Sequence, residues 1–310
     1  MTGWKEVLKT RIGKRFREKE ILGPYTSLKV GGPADLFFVV DNREELREVL
    51  LALGRASTTY FVLGNGSNLL VSDRGVRGAV IRLGKGFDTL RYTEKEGERG
   101  IFLHVGAAAL LPKLARQSVK RGYAGLEFAE GVPGTVGGAV TMNAGAYGAE
   151  MERVVEEIEA MTPNGETLLF HRADLSFRYR GSSLPANLVI TGATFRLEHG
   201  DGENERRKIE EFRKRRKLAQ PSGSPNAGSI FRNPPGDYAG RLVETAGLKG
   251  LRRGQAQVST KHGNFIVNLG GARSEEIRSL MEEVRAGVRE KTGVELEPEI
   301  RFVGEWSGNP

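Results

Sequence analysis

Apolar and polar positions along the chain fall into short runs, and the period of each run predicts an element. Residues 1–24 read as a basic N-terminal arm, one helix that Pro24 ends. Leu36 to Val40 is an unbroken apolar run and reads as a buried strand. Asp41, with Glu44 three residues on, forms a capping box for a helix whose Leu46, Val49, Leu50 and Leu53 share one face before Gly54. Strands at 60–63 and 79–83 complete a first α/β unit. A strand at Phe102 to Val105 then precedes a helix lined by Leu111, Leu114, Ala115 and Val119 and closed by Gly122. Strands at 154–162 and 166–170 are joined by the turn Asn164-Gly165, and a longer one runs from Leu188 to Leu197. His199 to Glu205, polar and glycine-containing, is the best linker candidate. Beyond it the pattern gives helix, long loop, helix (239–246), strand (264–269), helix (274–291, Ser274 as N-cap) and strand (299–303). The sum is an α+β chain in three parts, 1–84, 85–200 and 206–305.

Two stretches break the periodicity. Gly125 to Gly148, GLEFAEGVPGTVGGAVTMNAGAYG, carries seven glycines in twenty-four residues and reads as neither helix nor strand. Apolar residues between its glycines predict that it is buried, and backbone without Cβ atoms can turn its amides toward an anion. Upstream, VLGNGSNLLVSD (Val62 to Asp73) turns tightly at Gly64-Asn65-Gly66-Ser67-Asn68, where amides and Ser and Asn side chains suit a pyrophosphate. The GxGxxG fingerprint that opens a dinucleotide-binding helix is missing. Alone, the upstream stretch reads equally as a hairpin loop, whereas the apolar residues of Gly125 to Gly148 weigh against a surface loop there; together the two point to a phosphate-bearing cofactor.

Composition narrows the classes. The chain has 310 residues, 38% hydrophobic and 28% charged, enough for two or three domains and without a long apolar run or a secretory leader pattern. It has no cysteine, which removes disulfides, thiolate metal sites and Cys nucleophiles and suits a reducing cytosol. Its four histidines have no paired spacing, so no metal site is expected. A net charge of +8 favours anionic ligands.

Arg206 to Lys217, RRKIEEFRKRRK, holds eight basic residues in twelve. It reads mainly as a solvated helix face with Ile209 and Phe212 inward, with a few cations left for a diphosphate. Nucleic-acid binding would call for interleaved stacking aromatics, and only Phe212 is near. LAQPSGSPNAGSIFRNP follows and leaves Ser229 at the mouth of IFRNP. Ser229, Arg180 in SFRYR and Glu299 in LEPEIRF stand as ordinary turn and ion-pair residues as readily as chemical ones, and no nucleophile–base spacing is visible.

Taken together, LGNGSNLLVSD, FAEGVPGTVGGAVTMNAGAYG, FRYRGS, PNAGSIFRNP and LEPEIRF occur in the order and spacing of a known family. From Thr26 to Glu305 the chain resembles the UDP-N-acetylenolpyruvoylglucosamine reductases (UDP-N-acetylmuramate dehydrogenases), flavoenzymes of peptidoglycan precursor synthesis, and so of cell-wall growth and cell division. The resemblance implies a two-part FAD-binding domain of the vanillyl-alcohol-oxidase (PCMH) type followed by a substrate-binding α+β domain. It implies non-covalent FAD held by Gly64, Asn65, Gly66, Ser67, Asn68 and Leu69, and by Gly131, Pro133, Gly134, Gly137, Gly138, Asn143, Ala144 and Gly145. NADPH would reduce the flavin, whose hydride would pass to the vinyl carbon of UDP-N-acetylglucosamine enolpyruvate. Arg180 and Glu299 would polarise the substrate carboxylate, and Ser229 would donate the proton. Arg213, Lys217 and Asn233 would hold the nucleotide, with Arg301 beside Glu299. The inserted loop whose Tyr closes over substrate in some members is missing: no Tyr occurs between Tyr179 and Tyr238, as in a shorter subtype, and Tyr147 is given no role. With no coiled-coil or interface signature, no membrane segment and no stacking aromatics on the basic helix, a cytoplasmic monomer without nucleic-acid partners is expected. The alternatives are another flavoprotein of the same fold, distinguished by having no use for Ser229, Arg180 and Glu299 together, and, ranked last, a nucleic-acid-binding module using the basic helix.

Overall fold

The structure, a computed structural model, describes residues 3–94 and 100–308. Helix α1 (Gly3–Ile12) buries Leu8 and Ile12, and the chain then extends as a strand, Phe16–Ile21. The N-terminal arm is therefore not one helix reaching Pro24. Phe16 stacks on Phe38 at 4.7 Å, and that burial outweighs the helical tendency of the charged residues after it. Pro24 lies in a separate short turn, Gly23–Tyr25.

The chain divides into two compact units. The first comprises Met1–Arg17, Leu36–Gly64 and Ala79–Arg215; the second, Glu18–Asp35, Asn65–Gly78 and Arg216–Pro310. A four-stranded sheet, ordered 16–21, 33–40, 76–83, 60–62, pairs Tyr60–Val62 in parallel with Val76–Leu83. Helix α2 (Arg43–Arg55) buries Leu46, Val49, Leu50 and Leu53 as expected, but its N-cap is Asn42, not Asp41. Asn42 accepts from the Glu45 amide, while Glu45 turns its carboxylate to Arg15, at 2.7 and 2.8 Å.

The larger sheet of the first unit runs in the order 167–171, 155–161, 189–199, 101–106, 90–94, antiparallel throughout. The Asn164-Gly165 turn joins its first pair as predicted, with Gly165 at φ 76°. Leu90–Glu94, too exposed to show a strand pattern, had not been expected. The central strand continues to His199, and helix α5 (Glu203–Ala219) follows, so the linker expected at 199–205 is reduced to residues 200–202. Helix α3 (Leu111–Lys120) packs Leu111, Leu114, Ala115 and Val119 into the core below this sheet.

The glycine-rich stretch is more regular than its sequence suggests. A short turn, Glu127–Gly131, is followed by one helical segment, α4 (Val136–Thr141), which buries Val136, Ala139 and Val140. Two-residue strands, Gly145–Ala146 and Ala149–Glu150, then close a tight hairpin. Burial is one-sided, since Pro133 and Gly138 are exposed. At six residues with two adjacent glycines, α4 is too short for its Val136, Ala139 and Val140 face to stand out as a helical period in the sequence.

In the second unit, α6 (Ala239–Thr245) and α7 (Ser274–Thr292) pack around Ile230, Phe231, Val258 and Ile266. Strands Arg252–Arg253 and Ala256–Val258, too short to read from the sequence, join Ile266–Asn268 in a three-stranded sheet. Arg273, not Ser274, is the N-cap of α7. Ser274 is the first helical residue and exchanges hydrogen bonds with Asp73: its hydroxyl accepts from the Asp73 amide at 2.7 Å, and its amide donates to Asp73 Oδ1 at 3.0 Å.

Candidate functional site

Within the second unit the loop bearing Ser229 is built from its own backbone. Asn226 Nδ2 donates to the Ser224 carbonyl at 3.0 Å and Oδ1 accepts from the Gly228 amide at 3.2 Å, a side-chain-closed turn. Gly228 takes φ 75°, and the chain enters the core at Ile230, which is fully buried. The Ile230 carbonyl accepts from the Glu299 amide at 2.8 Å, and the Arg232 amide donates to the Glu297 carbonyl at 2.9 Å. This antiparallel pairing sets Ser229 one residue from the register position of Glu299. Asn68 adjoins them, donating from Nδ2 to the Glu299 carbonyl at 3.1 Å and accepting from the Arg301 amide at 3.1 Å. Arg301–Val303 pairs in parallel with Leu69–Val71, so Asn68 and Leu69 enter the same cluster, with the Arg301 side chain exposed. Asn233 Oδ1 accepts from the Ala239 amide at 3.1 Å and so closes the start of α6, while the Lys217 carbonyl accepts from Lys261 Nζ. Both side chains lie at the surface.

Arg180 belongs to the first unit. Its backbone takes φ 58°, a left-handed conformation that costs a non-glycine residue about 1 kcal/mol or more. Its guanidinium lies 3.6 Å from Glu150 and over the Tyr179 ring at 4.6 Å. Glu150 is in turn held by Asn143 Nδ2 at 2.8 Å. Asn143 is completely buried, also left-handed (φ 42°), and accepts from the Glu152 amide at 2.9 Å. Its side chain therefore braces Arg180 through Glu150. Ala144 and Gly145 lead into the hairpin that carries Glu150, a residue sequence reasoning missed, since one acid in a glycine-rich run carries no signal of its own.

The residues expected to hold FAD also face one another within the first unit where they belong to it. A Cβ on Gly64 would lie 2.6 Å from Thr135 Oγ1, and one on Gly138 would lie 3.6 Å from the same atom. A hydroxyl that does not cap its own helix thus stands between two glycines, a cradle any side chain would fill. That donor set fits a phosphate-bearing group, and Thr135 joins the candidates although the sequence had not singled it out. Some expected amides are already engaged: Gly137 donates to the Ala107 carbonyl at 2.9 Å, Asn143 to the Val140 carbonyl at 3.2 Å and Ala144 to the Ala139 carbonyl at 2.8 Å. The Gly134 carbonyl accepts from Leu111 at 3.1 Å. Gly131 is required by Tyr147, whose ring edge would be 2.7 Å from a Cβ there.

Tyr147 stacks flat on Phe212 of α5 at 3.9 Å, and its hydroxyl donates to the Phe212 carbonyl at 2.8 Å. Beside it Arg213 meets the buried Glu130 at 2.7 Å, which Arg116 approaches at 3.0 Å, and Lys208 reaches Glu127 at 3.4 Å. Part of the basic run of α5 is therefore matched to acids of the glycine-rich stretch. Among the described residues no three metal-ligating side chains gather, and no helix is long and apolar enough to cross a membrane.

Comparison with known proteins places the chain in a family. Residues 34–170 match the family model of an FAD binding domain, and residues 220–303 match that of the UDP-N-acetylenolpyruvoylglucosamine reductase C-terminal domain. The fold and these two matches define an FAD-dependent oxidoreductase of α+β class. A relative from Caldanaerobacter subterraneus, a UDP-N-acetylenolpyruvoylglucosamine reductase, is 44% identical over 302 residues, 97% of each chain. One of the same name from Rubrobacter xylanophilus is 47% identical across 92% of this chain and 94% of its own. The crystal structure of the reductase from Thermus caldophilus superposes with a TM-score of 0.79 at 40% identity, covering 93% of this chain and 99% of that one. The chain belongs to the UDP-N-acetylenolpyruvoylglucosamine reductase family.

Proposed function

We propose that the protein reduces UDP-N-acetylglucosamine enolpyruvate to UDP-N-acetylmuramate with NADPH, in the cytoplasm and as a monomer that uses no nucleic acid. Bound FAD supplies the hydride chemistry between NADPH and the vinyl carbon. Gly64 to Leu69 and the stretch from Gly131 to Gly145, with Thr135, would hold it. The protein's own task is the charge that develops beside the substrate carboxylate. Arg180, pre-oriented by Glu150, neutralises that carboxylate, and Glu299 completes its polarisation. Ser229 donates the proton to the carbon beside it; an unperturbed hydroxyl is a weak acid, so this role calls for charged or hydrogen-bonding groups on the bound substrate's side. Lys217, Asn233 and Arg301 bind the nucleotide, and Arg213 does so while paired to Glu130. The parts 1–84, 85–200 and 206–305 serve as the two halves of the flavin domain and the substrate domain.

The observation that carries this reading is the backbone pairing that joins Ser229 and Glu299 through Ile230, in a chain aligned with reductases along nearly its whole length. Anaerobic titration tests it. Flavin absorbance should bleach with NADPH and return with the enolpyruvyl substrate. Ser229→Ala should leave the bleaching unchanged and slow the return by about a hundredfold or more. Bleaching without recovery in the unmodified protein would refute the substrate assignment.

A further inference from the structure

We propose that Asn264 is a positioning residue, holding Ser229 and Glu299 in register for proton delivery; the proposal rests on the function given above. Asn264 is 3% exposed and lies in the turn before the strand Ile266–Asn268. Its Oδ1 accepts from the Phe231 amide at 2.9 Å, and its Nδ2 donates to the Phe231 carbonyl at 2.8 Å. Its own carbonyl accepts from the Ile230 amide at 2.9 Å. One residue thus makes three hydrogen bonds to the dipeptide that follows Ser229. On the other edge of that dipeptide, the Ile230 carbonyl receives the Glu299 amide at 2.8 Å. Ile230-Phe231 is therefore gripped from both sides, by Asn264 and by the segment that carries Glu299. Displacing it moves both proposed chemical groups.

The residue type follows from the geometry. A primary amide presents one acceptor and one donor, and so pairs with an extended residue as a neighbouring strand would. Aspartate of the same shape offers acceptors only and sets a lone pair against the Phe231 carbonyl. Leucine fills a similar volume and offers neither group. Proton delivery demands tighter placement than folding does, because a shift of about 1 Å can cost about a hundredfold in rate.

The test uses the FAD-loaded full chain, unmodified and as Asn264→Leu and Asn264→Asp. Stopped-flow absorbance measures flavin reduction by NADPH and, separately, flavin reoxidation by UDP-N-acetylglucosamine enolpyruvate. Hydrogen exchange is read at the Phe231 and Glu299 amides. Both variants should retain flavin, reduce it within about twofold of the parent rate, and reoxidise it roughly 10- to 100-fold more slowly. The two amides should exchange faster in both. Reoxidation at the parent rate, or both half-reactions slowed in parallel, overturns the positioning role. Loss of folding or flavin in both variants overturns it too, in favour of a purely architectural part. An unmodified protein whose reduced flavin the substrate does not reoxidise overturns the functional reading itself, an outcome distinct from all of these.

Discussion

Gly66 and Gly228 both take positive φ in loops expected to bind ligand, yet for different reasons. A Cβ on Gly66 would lie 2.3 Å from the Tyr25 carbonyl oxygen, so the protein's own backbone requires that glycine. A Cβ on Gly228 would meet no atom within 4 Å, so only its φ of 75° resists substitution. Gly66→Ala should therefore cost about 2–4 kcal/mol, conformational strain plus a clash that backbone cannot relieve. Gly228→Ala should cost about 1–2 kcal/mol, the strain alone. Urea denaturation of the two variants checks the difference, and equal losses would contradict it. The glycine density that marked these loops in the sequence thus mixes close packing with ligand approach, and only the structure separates the two.

Helix α7 shows how an element can be specified by a residue distant in sequence. Asp73, the last residue of LGNGSNLLVSD, accepts from the Ser274 amide at 3.0 Å and the Glu275 amide at 3.3 Å. Its charge also faces the positive end of the helix dipole. Asp73→Ala should cost about 1–2 kcal/mol, with Asp73→Asn intermediate because it keeps an acceptor but not the charge. Thermal unfolding of both variants reads this order. No local pattern signals the contact, since Ser274 satisfies the capping preference by itself and Asp73 lies far away in sequence. The same limit explains Asn42 displacing Asp41 at α2, where the choice depends on Arg15 drawing Glu45 inward. Amphipathic elements such as α2, α3 and α7 were legible because burial repeats along them. Leu90–Glu94 and the paired strands at 252–258 were not, being short or exposed.

Across the whole molecule the candidate site showed in the sequence as ordered motifs, while the polar residues packed behind it did not: Glu150 beside Arg180, Glu130 beside Arg213 and Asn264 beside Ile230-Phe231 are single residues whose partners lie elsewhere in the chain. Polar partners distant in sequence also set how stability responds to pH. Arg15 holds the Glu45 carboxyl below its ordinary range, and Lys19, with Gly78 and Arg77, does the same for Asp35. Both favour the fold at neutral pH, and that stabilisation disappears as pH falls through their lowered values, below about 4. His262 acts higher on the scale. Burial, with Lys249 nearby, lowers its pKa, so the unfolded chain takes up its proton first. Its contribution is complete above the unfolded value of about 6.5 and is lost as pH drops from there toward the folded value. All three groups therefore act in the same direction, and the unfolding temperature should decline in two stages on acidification, the first beginning near pH ~6.5 and the second below pH ~4. His262→Gln should flatten the first stage and leave the second unchanged. Thermal unfolding of the FAD-loaded protein between these limits, with and without the substitution, measures it. A first stage that survives in the variant would assign it to another group.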